Sequence, residues 1–150
     1  LPLVRNKLLS TGVSAKRITF EITETAAVAN YDQTREMVNQ LRELGCSFAL
    51  DDFGAGFSSF DYIKQFPVDY LKIDGSFITN LLNDPVDQTL VKSMIDIAHT
   101  LGKRTVAEFV ECEDTLNLLR EYGVDYAQGY YIGKPTDSFD ENNIKKLIKV

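Results

Sequence analysis

Histidine and cysteine are almost missing from this sequence, which narrows the chemistry before any motif is read. The only histidine, His99, falls within a stretch of helical periodicity and is expected in packing or at the surface rather than in a site. Cys46 and Cys112 show no metal-ligand spacing and are too few for a disulfide framework, so both are expected as free thiols in a reducing compartment. No apolar run is long enough to cross a bilayer. Positive charge is also short: 16 basic residues against 22 acidic give a formal charge of -6, which argues against a surface that grips duplex nucleic acid through its phosphates. An anionic substrate would need a local device such as a metal ion. No secretory leader is expected ahead of the first periodic segment, and the chain opens on Leu1 rather than a start methionine. The start therefore reads as a cut. A cytoplasmic setting is expected, with any membrane anchor of the intact protein carried by other domains.

What is present reads as a single domain with a real core, since 44% of the residues are apolar and no linker or low-complexity tract interrupts them. Arg17 to Thr23 alternates apolar and polar residues, the period of a strand, with Thr19 and Glu21 on the side opposite Ile18, Phe20 and Ile22. From Asp32 to Leu44 the apolar residues recur at helical spacing, with Gly45 as the stop and Asn30 as a possible opening cap. The alternation then repeats. Strands are predicted at Ser47 to Leu50, Tyr70 to Ile73, Thr105 to Ala107 and Tyr126 to Tyr131. Helices are predicted over Ser59 to Gln65, from Pro85 to Leu101, around Asp114 to Tyr122, and from about Asp140 to Leu147. Strands alternating with helices over short connections mean βαβ units and a parallel α/β sheet. No strand is followed by a glycine-rich phosphate loop of the dinucleotide type, whereas polar residues recur at strand ends, which favours a β/α barrel over an open doubly wound sheet. On this reading the chain supplies five βα units, and about three strands of an eight-stranded barrel lie upstream of Leu1.

Glu21, Asp51 with Asp52, Lys72 with Asp74, Glu108 with Glu111, and Gln128 all fall at or just beyond the ends of predicted strands. Carboxylates gathered in one barrel mouth raise each other's proton affinity, so they call for a compensating charge. Oxygen-rich ligation without histidine or cysteine suits Mg²⁺ or Mn²⁺ better than zinc. The adjacent Asp51 and Asp52 suit a bridge between two ions, and proton removal from water would then fall to metal and carboxylate. Any one of these acids taken alone could be a helix cap or a surface charge. Lys72 also admits a different chemistry, a Schiff base in a barrel lyase or aldolase, although crowding by acids should keep it protonated.

In order along the chain, FEITET, DDFGAGFSS, LKIDGSF, AEFVE and QGYYIGKP closely resemble the EAL-domain phosphodiesterases that hydrolyse cyclic di-GMP, over about Arg17 to Pro135. The resemblance implies that Glu21 is a metal ligand, Asp51 is shared between two ions, and Asp52 and Glu108 serve the second ion, with Glu108 also the general base. It implies that Lys72 orients the attacking water or the phosphate with Asp74 beside it, and that Gln128 hydrogen-bonds within the metal site. Glu24 would tether the loop that begins at Asp52, a loop that in the family also contributes to dimer contacts and regulation. Lys134 and Pro135 resemble a segment lining a guanine pocket. The expected product is linear pGpG. Two departures stand out: Phe109 occupies a position that is usually glycine, and the Glu-Ala-Leu motif with an asparagine ligand belongs to a stretch upstream of Leu1. The intact domain is expected to be a homodimer, and sensory or GGDEF domains are expected to precede it in some proteins.

A degenerate EAL module that binds cyclic di-GMP or a protein partner without cleavage is the alternative, although every family acid within this span is kept. A further expectation concerns the segment alone, where two unpaired strand edges and an apolar interior would make it inactive and prone to aggregate.

Overall fold

The computed structural model describes residues 2–56 and 60–135, the side chains of 60–62 excepted. Helix α1 (Pro2–Thr11) and a 3₁₀ turn (Ala15–Arg17) lead into β1 (Thr19–Thr23), α2 (Glu24–Ala29) and α3 (Tyr31–Glu43). There follow β2 (Ser47–Phe53), α4 (Phe60–Gln65), β3 (Tyr70–Ile73), α5 (Gly75–Ile78), α6 (Pro85–Thr100), β4 (Arg104–Ala107), α7 (Glu113–Glu121) and β5 (Tyr126–Ala127). The strands form one sheet in the order β1-β2-β3-β4-β5, every neighbouring pair parallel. A doubly wound sheet reverses strand order at a switch point, whereas a barrel wall keeps sequence order throughout. The arc is therefore barrel wall.

Alternation along the strands separates two faces. Phe48, Leu50, Leu71, Ile73, Thr105 and Ala107 are buried under the helices, with Val38, Leu41, Val91, Ile95 and Leu116 contributed from α3, α6 and α7. The other face lines a concavity of about 270 Å³ bounded by Thr19, Glu21, Ala49, Tyr70, Lys72, Val106, Tyr126 and Gln128. That inner face is mixed: Ala49, Val106 and the rings of Tyr70 and Tyr126 give it apolar surface, while Glu21, Lys72 and Gln128 bring polar groups toward the strand ends. Among the described residues β1 and β5 carry no outer neighbour in the sheet.

Helix stops match their glycines: Gly45, Gly102 and Gly123 have φ of +100°, +69° and +82°, the left-handed conformation that ends a helix without a β-carbon penalty. Asn30 differs from expectation. It precedes α3 but caps nothing with its side chain; Thr23 caps α2 instead, accepting from Ala26 N–H at 3.3 Å. The expected fifth strand is also cut short at Ala127, because a β-carbon on Gly129 would run into the backbone of Val110 and the chain turns there, with Ile132 and Gly133 N–H both donating to Gly129 O. The helix expected at about Asp140 to Leu147 lies outside the described residues.

The amino-terminal end of the sheet is held by two copies of Val-Asp-Tyr, at 68–70 and 124–126. Phe48 N–H donates to Asp69 Oδ2 at 2.9 Å, and Thr105 N–H and its hydroxyl donate to Asp125 Oδ2 at 2.8 and 3.0 Å. His99 Nε2 lies 2.9 Å from the same Asp125 oxygen, which gives the lone histidine a structural role at the end opposite the acids. Burial would raise the Asp125 carboxyl, but hydrogen bonds from Thr105 and His99 outweigh it and hold it below its ordinary value. A carboxyl lowered on folding stabilises fully above its unfolded pKa, near pH 4, and loses that contribution as pH falls through the lower folded value. Asp125→Ala is therefore expected to cost about 2 kcal/mol at pH 7, a difference that shrinks below about pH 4. Urea unfolding of both proteins across pH checks it.

Candidate active site

The centre of the site is Lys72, one residue before the end of β3 and facing the concavity because Leu71 and Ile73 face the helices. Its Nζ lies 3.0 Å from Glu21 Oε2 on β1, 2.8 Å from Asp51 Oδ1 on β2 and 2.9 Å from Glu108 Oε1 just past β4. Three acids separated widely in sequence thus meet one ammonium at the carboxyl ends of four adjacent parallel strands. The lysine side chain is 6% exposed, Glu108 13%, Asp51 23% and Glu21 51%, so the cluster opens to solvent on the Glu21 side. Burial alone would lower the Lys72 pKa, but its contacts with Asp51, Glu108 and Glu21 outweigh that and hold it well above the ordinary lysine value. A Schiff-base role needs a neutral amine, so this environment opposes it.

Asp52 reaches the same neighbourhood by a backbone irregularity. Adjacent residues of a regular strand point to opposite faces, but the β2–β3 register shifts between Leu50 and Phe53, and Asp52 sits at φ +58°. Burial raises the Asp52 carboxyl, and the charges of Asp51 and Asp74 raise it further against the pull of Lys72. Glu108 is likewise raised, first by burial, then by Asp51 and Glu21, with Lys72 opposing. One ammonium does not neutralise this many carboxylates, and the residual negative potential is what a divalent cation would compensate.

The donors fit a hard cation in kind: all are carboxylate oxygens, and Asp51 Oδ1 is buried, in charge contact with Lys72 yet outside hydrogen-bonding alignment, which leaves a lone pair unused. They do not enclose one by themselves. Among the described residues no three acids, histidines or cysteines form a ready cage, because Lys72 stands where the carboxylates converge.

Glu24, 3% exposed, accepts from Gly54 N–H at 3.3 Å, and a β-carbon on Gly56 would collide with its carboxylate, so it grips the loop that leaves Asp52. Asp74 caps α5, accepting from Ser76 N–H at 2.9 Å, and stands outside the trio on Lys72. Gln128 lines the concavity; Glu111 lines a smaller cavity of about 220 Å³ with Glu108, Phe109, Gly129 and Tyr130. Lys134 Nζ sits 5.4 Å from the centroid of the Tyr130 ring, while Pro135 is exposed at the end of the described residues. A larger cavity of about 520 Å³ at the opposite end of the sheet is no rival. Three of the four cations that line it are spent on structure, Arg42 on Asp69 and Pro67 O, Lys103 on Phe66 O and Val68 O, Arg104 on Tyr126, and the fourth, Lys64, is exposed.

Sequence-ordered parallel strands with acids and a lysine converging at their carboxyl ends define a β/α-barrel protein with its candidate site at the barrel mouth. The sequence profile of the EAL domain matches residues 2–135, so the chain belongs to the EAL domain family. Cyclic di-GMP phosphodiesterase PdeB of Shewanella oneidensis is 50% identical over 123 residues, 82% of this chain but 14% of that protein. The solved complex of the PaMucR phosphodiesterase with c-di-GMP matches with a TM-score of 0.84 at 35% identity, covering 89% of this chain and 54% of that one. A manganese and cyclic di-GMP complex of Klebsiella pneumoniae BlrP1 matches with a TM-score of 0.83 at 30% identity, covering 89% of this chain and 34% of that one. The chain thus spans a small part of PdeB and about half or less of the two solved chains.

Proposed function

We propose that the intact domain containing this chain is a metal-dependent phosphodiesterase that opens cyclic di-GMP to linear pGpG. The observation that carries the reading is the meeting of Glu21, Asp51 and Glu108 at 2.8 to 3.0 Å from Lys72, in a chain whose relatives include named cyclic di-GMP phosphodiesterases. Glu21, Asp51, Asp52 and Glu108 would hold two Mg²⁺ or Mn²⁺ ions together with ligands from upstream, and bound metal would supply Lewis-acid activation of a water. Glu108, least exposed of the three acids and raised by burial, is the group to accept that water's proton. Lys72 would follow the charge as it moves onto the phosphate oxygens. Water adds to phosphorus, one P–O ester bond breaks, and the departing sugar oxygen takes a proton. Gln128 would complete hydrogen bonding inside the barrel mouth, and Glu24 would keep the Asp52 loop in place.

Incubating the intact protein with cyclic di-GMP, with and without Mn²⁺, and separating the products tests the reading. Metal-dependent appearance of pGpG is expected. Tight binding with no pGpG at any metal concentration would convert the proposal into a receptor module. Homodimer formation and attached upstream domains belong to the same proposal.

A further inference from the structure

We infer that the ring of Phe109 is a substrate-positioning surface, the wall of a pocket beside Glu108 on which a planar heterocyclic base stacks. The inference rests on the phosphodiesterase reading and extends it to a residue where the family pattern has glycine. Phe109 holds φ of +54°, a region bulky residues rarely adopt, and it is 60% exposed, so the chain keeps a large apolar ring in water at a backbone position that disfavours it. Space for that ring is made elsewhere: a β-carbon on Gly75 would lie 2.6 and 2.8 Å from the Phe109 Cγ and Cε2 atoms, so the ring rests on a glycine that carries nothing. The ring does not disturb the acid beside it, since Glu108 keeps its 2.9 Å contact with Lys72. Strained, exposed and seated on a matching glycine, Phe109 shares with Glu108, Glu111 and Tyr130 a cavity of about 220 Å³. That is below the roughly 300 Å³ at which pockets begin to enclose whole drug-sized ligands, a size suited to a single ring system. Phe109 and Tyr130 both line the cavity, and Glu111 in the same lining supplies a carboxylate acceptor for N–H donors on a base edge.

The test uses the intact protein with Mn²⁺. Phe109→Gly removes the ring at a φ that glycine adopts freely, so folding is expected to survive. KM for cyclic di-GMP should rise roughly 5- to 100-fold, with kcat changed far less, and Phe109→Tyr should restore the wild-type KM. Gly75→Ala, which leaves the ring in the protein but pushes it off its seat, should raise KM in the same direction. This chain contributes no tryptophan, so the indole emission that Phe109→Trp adds over the wild-type protein, read as a difference spectrum, should be quenched by cyclic di-GMP. Wild-type turnover together with an unchanged KM in Phe109→Gly would overturn this inference alone. Wild-type protein that neither binds nor cleaves cyclic di-GMP would remove it together with the phosphodiesterase reading.

Discussion

Glu108→Gln in the intact protein is expected to lower turnover of cyclic di-GMP by about 10²- to 10⁴-fold, the span associated with loss of a positioned acid or base. The substitution keeps side-chain length and an oxygen that can still accept from Lys72, so the packing around a residue that is 13% exposed should hold. It also removes one of the charges crowding that lysine, and thermal stability without metal should stay level or rise. The proposed function gives this carboxylate two roles, ligand and base, and they separate experimentally. If Glu108 acts mainly as a ligand, calorimetric Mn²⁺ affinity falls with the rate and added metal recovers much of the turnover. If it acts mainly as base, saturating metal leaves the rate low. An unchanged rate would refute both roles.

The strand ends were legible because two periods coexist in the sequence. Leu71 and Ile73 mark the face of β3 that meets the helices, which by alternation sends Lys72 inward, and the same logic places Glu21 opposite Phe20 and Ile22. Alternation cannot foresee its own interruption. Asp51 and Asp52 are neighbours and by strand period should diverge, and only the register shift with a left-handed Asp52 keeps both near Lys72. Tyr130 and Tyr131 imitated a continuing strand, whereas Gly129 turns the chain because the Val110 backbone leaves no room for a side chain. Short helices were hidden for a different reason. Glu24–Ala29 and Gly75–Ile78 hold too few residues for a helical period to show, and their only signals are the caps Thr23 and Asp74. The repeated Val-Asp-Tyr could have revealed the backbone clamps at Asp69 and Asp125, since a repeat at two strand starts implies one task performed twice.

Lys72→Met should produce the largest loss of stability in the metal-free protein, about 3 kcal/mol. The figure sits at the low end for breaking a buried pair, because the Glu21 side chain is half exposed and water screens its share. Methionine preserves most of the volume of the stem inside the concavity, so the loss isolates charge. Without the ammonium, Glu21, Asp51 and Glu108 face one another, and the charges of Asp51 and Glu21 raise the Glu108 carboxyl with nothing opposing them. Acids raised on folding destabilise above their folded pKa and cease to do so once protonated, so the deficit should be greatest near neutral pH and shrink in acid. A divalent cation supplies the missing positive charge, and Mn²⁺ should raise the midpoint of the variant more steeply than that of the wild type. A metal-free variant as stable as the wild type at pH 7 would mean that Lys72 neutralises nothing, and the electrostatic basis of the site would fall with it. The expected pattern instead makes the lysine the resident counter-charge of the barrel mouth, holding the carboxylates together at the place where a divalent cation would compete for them.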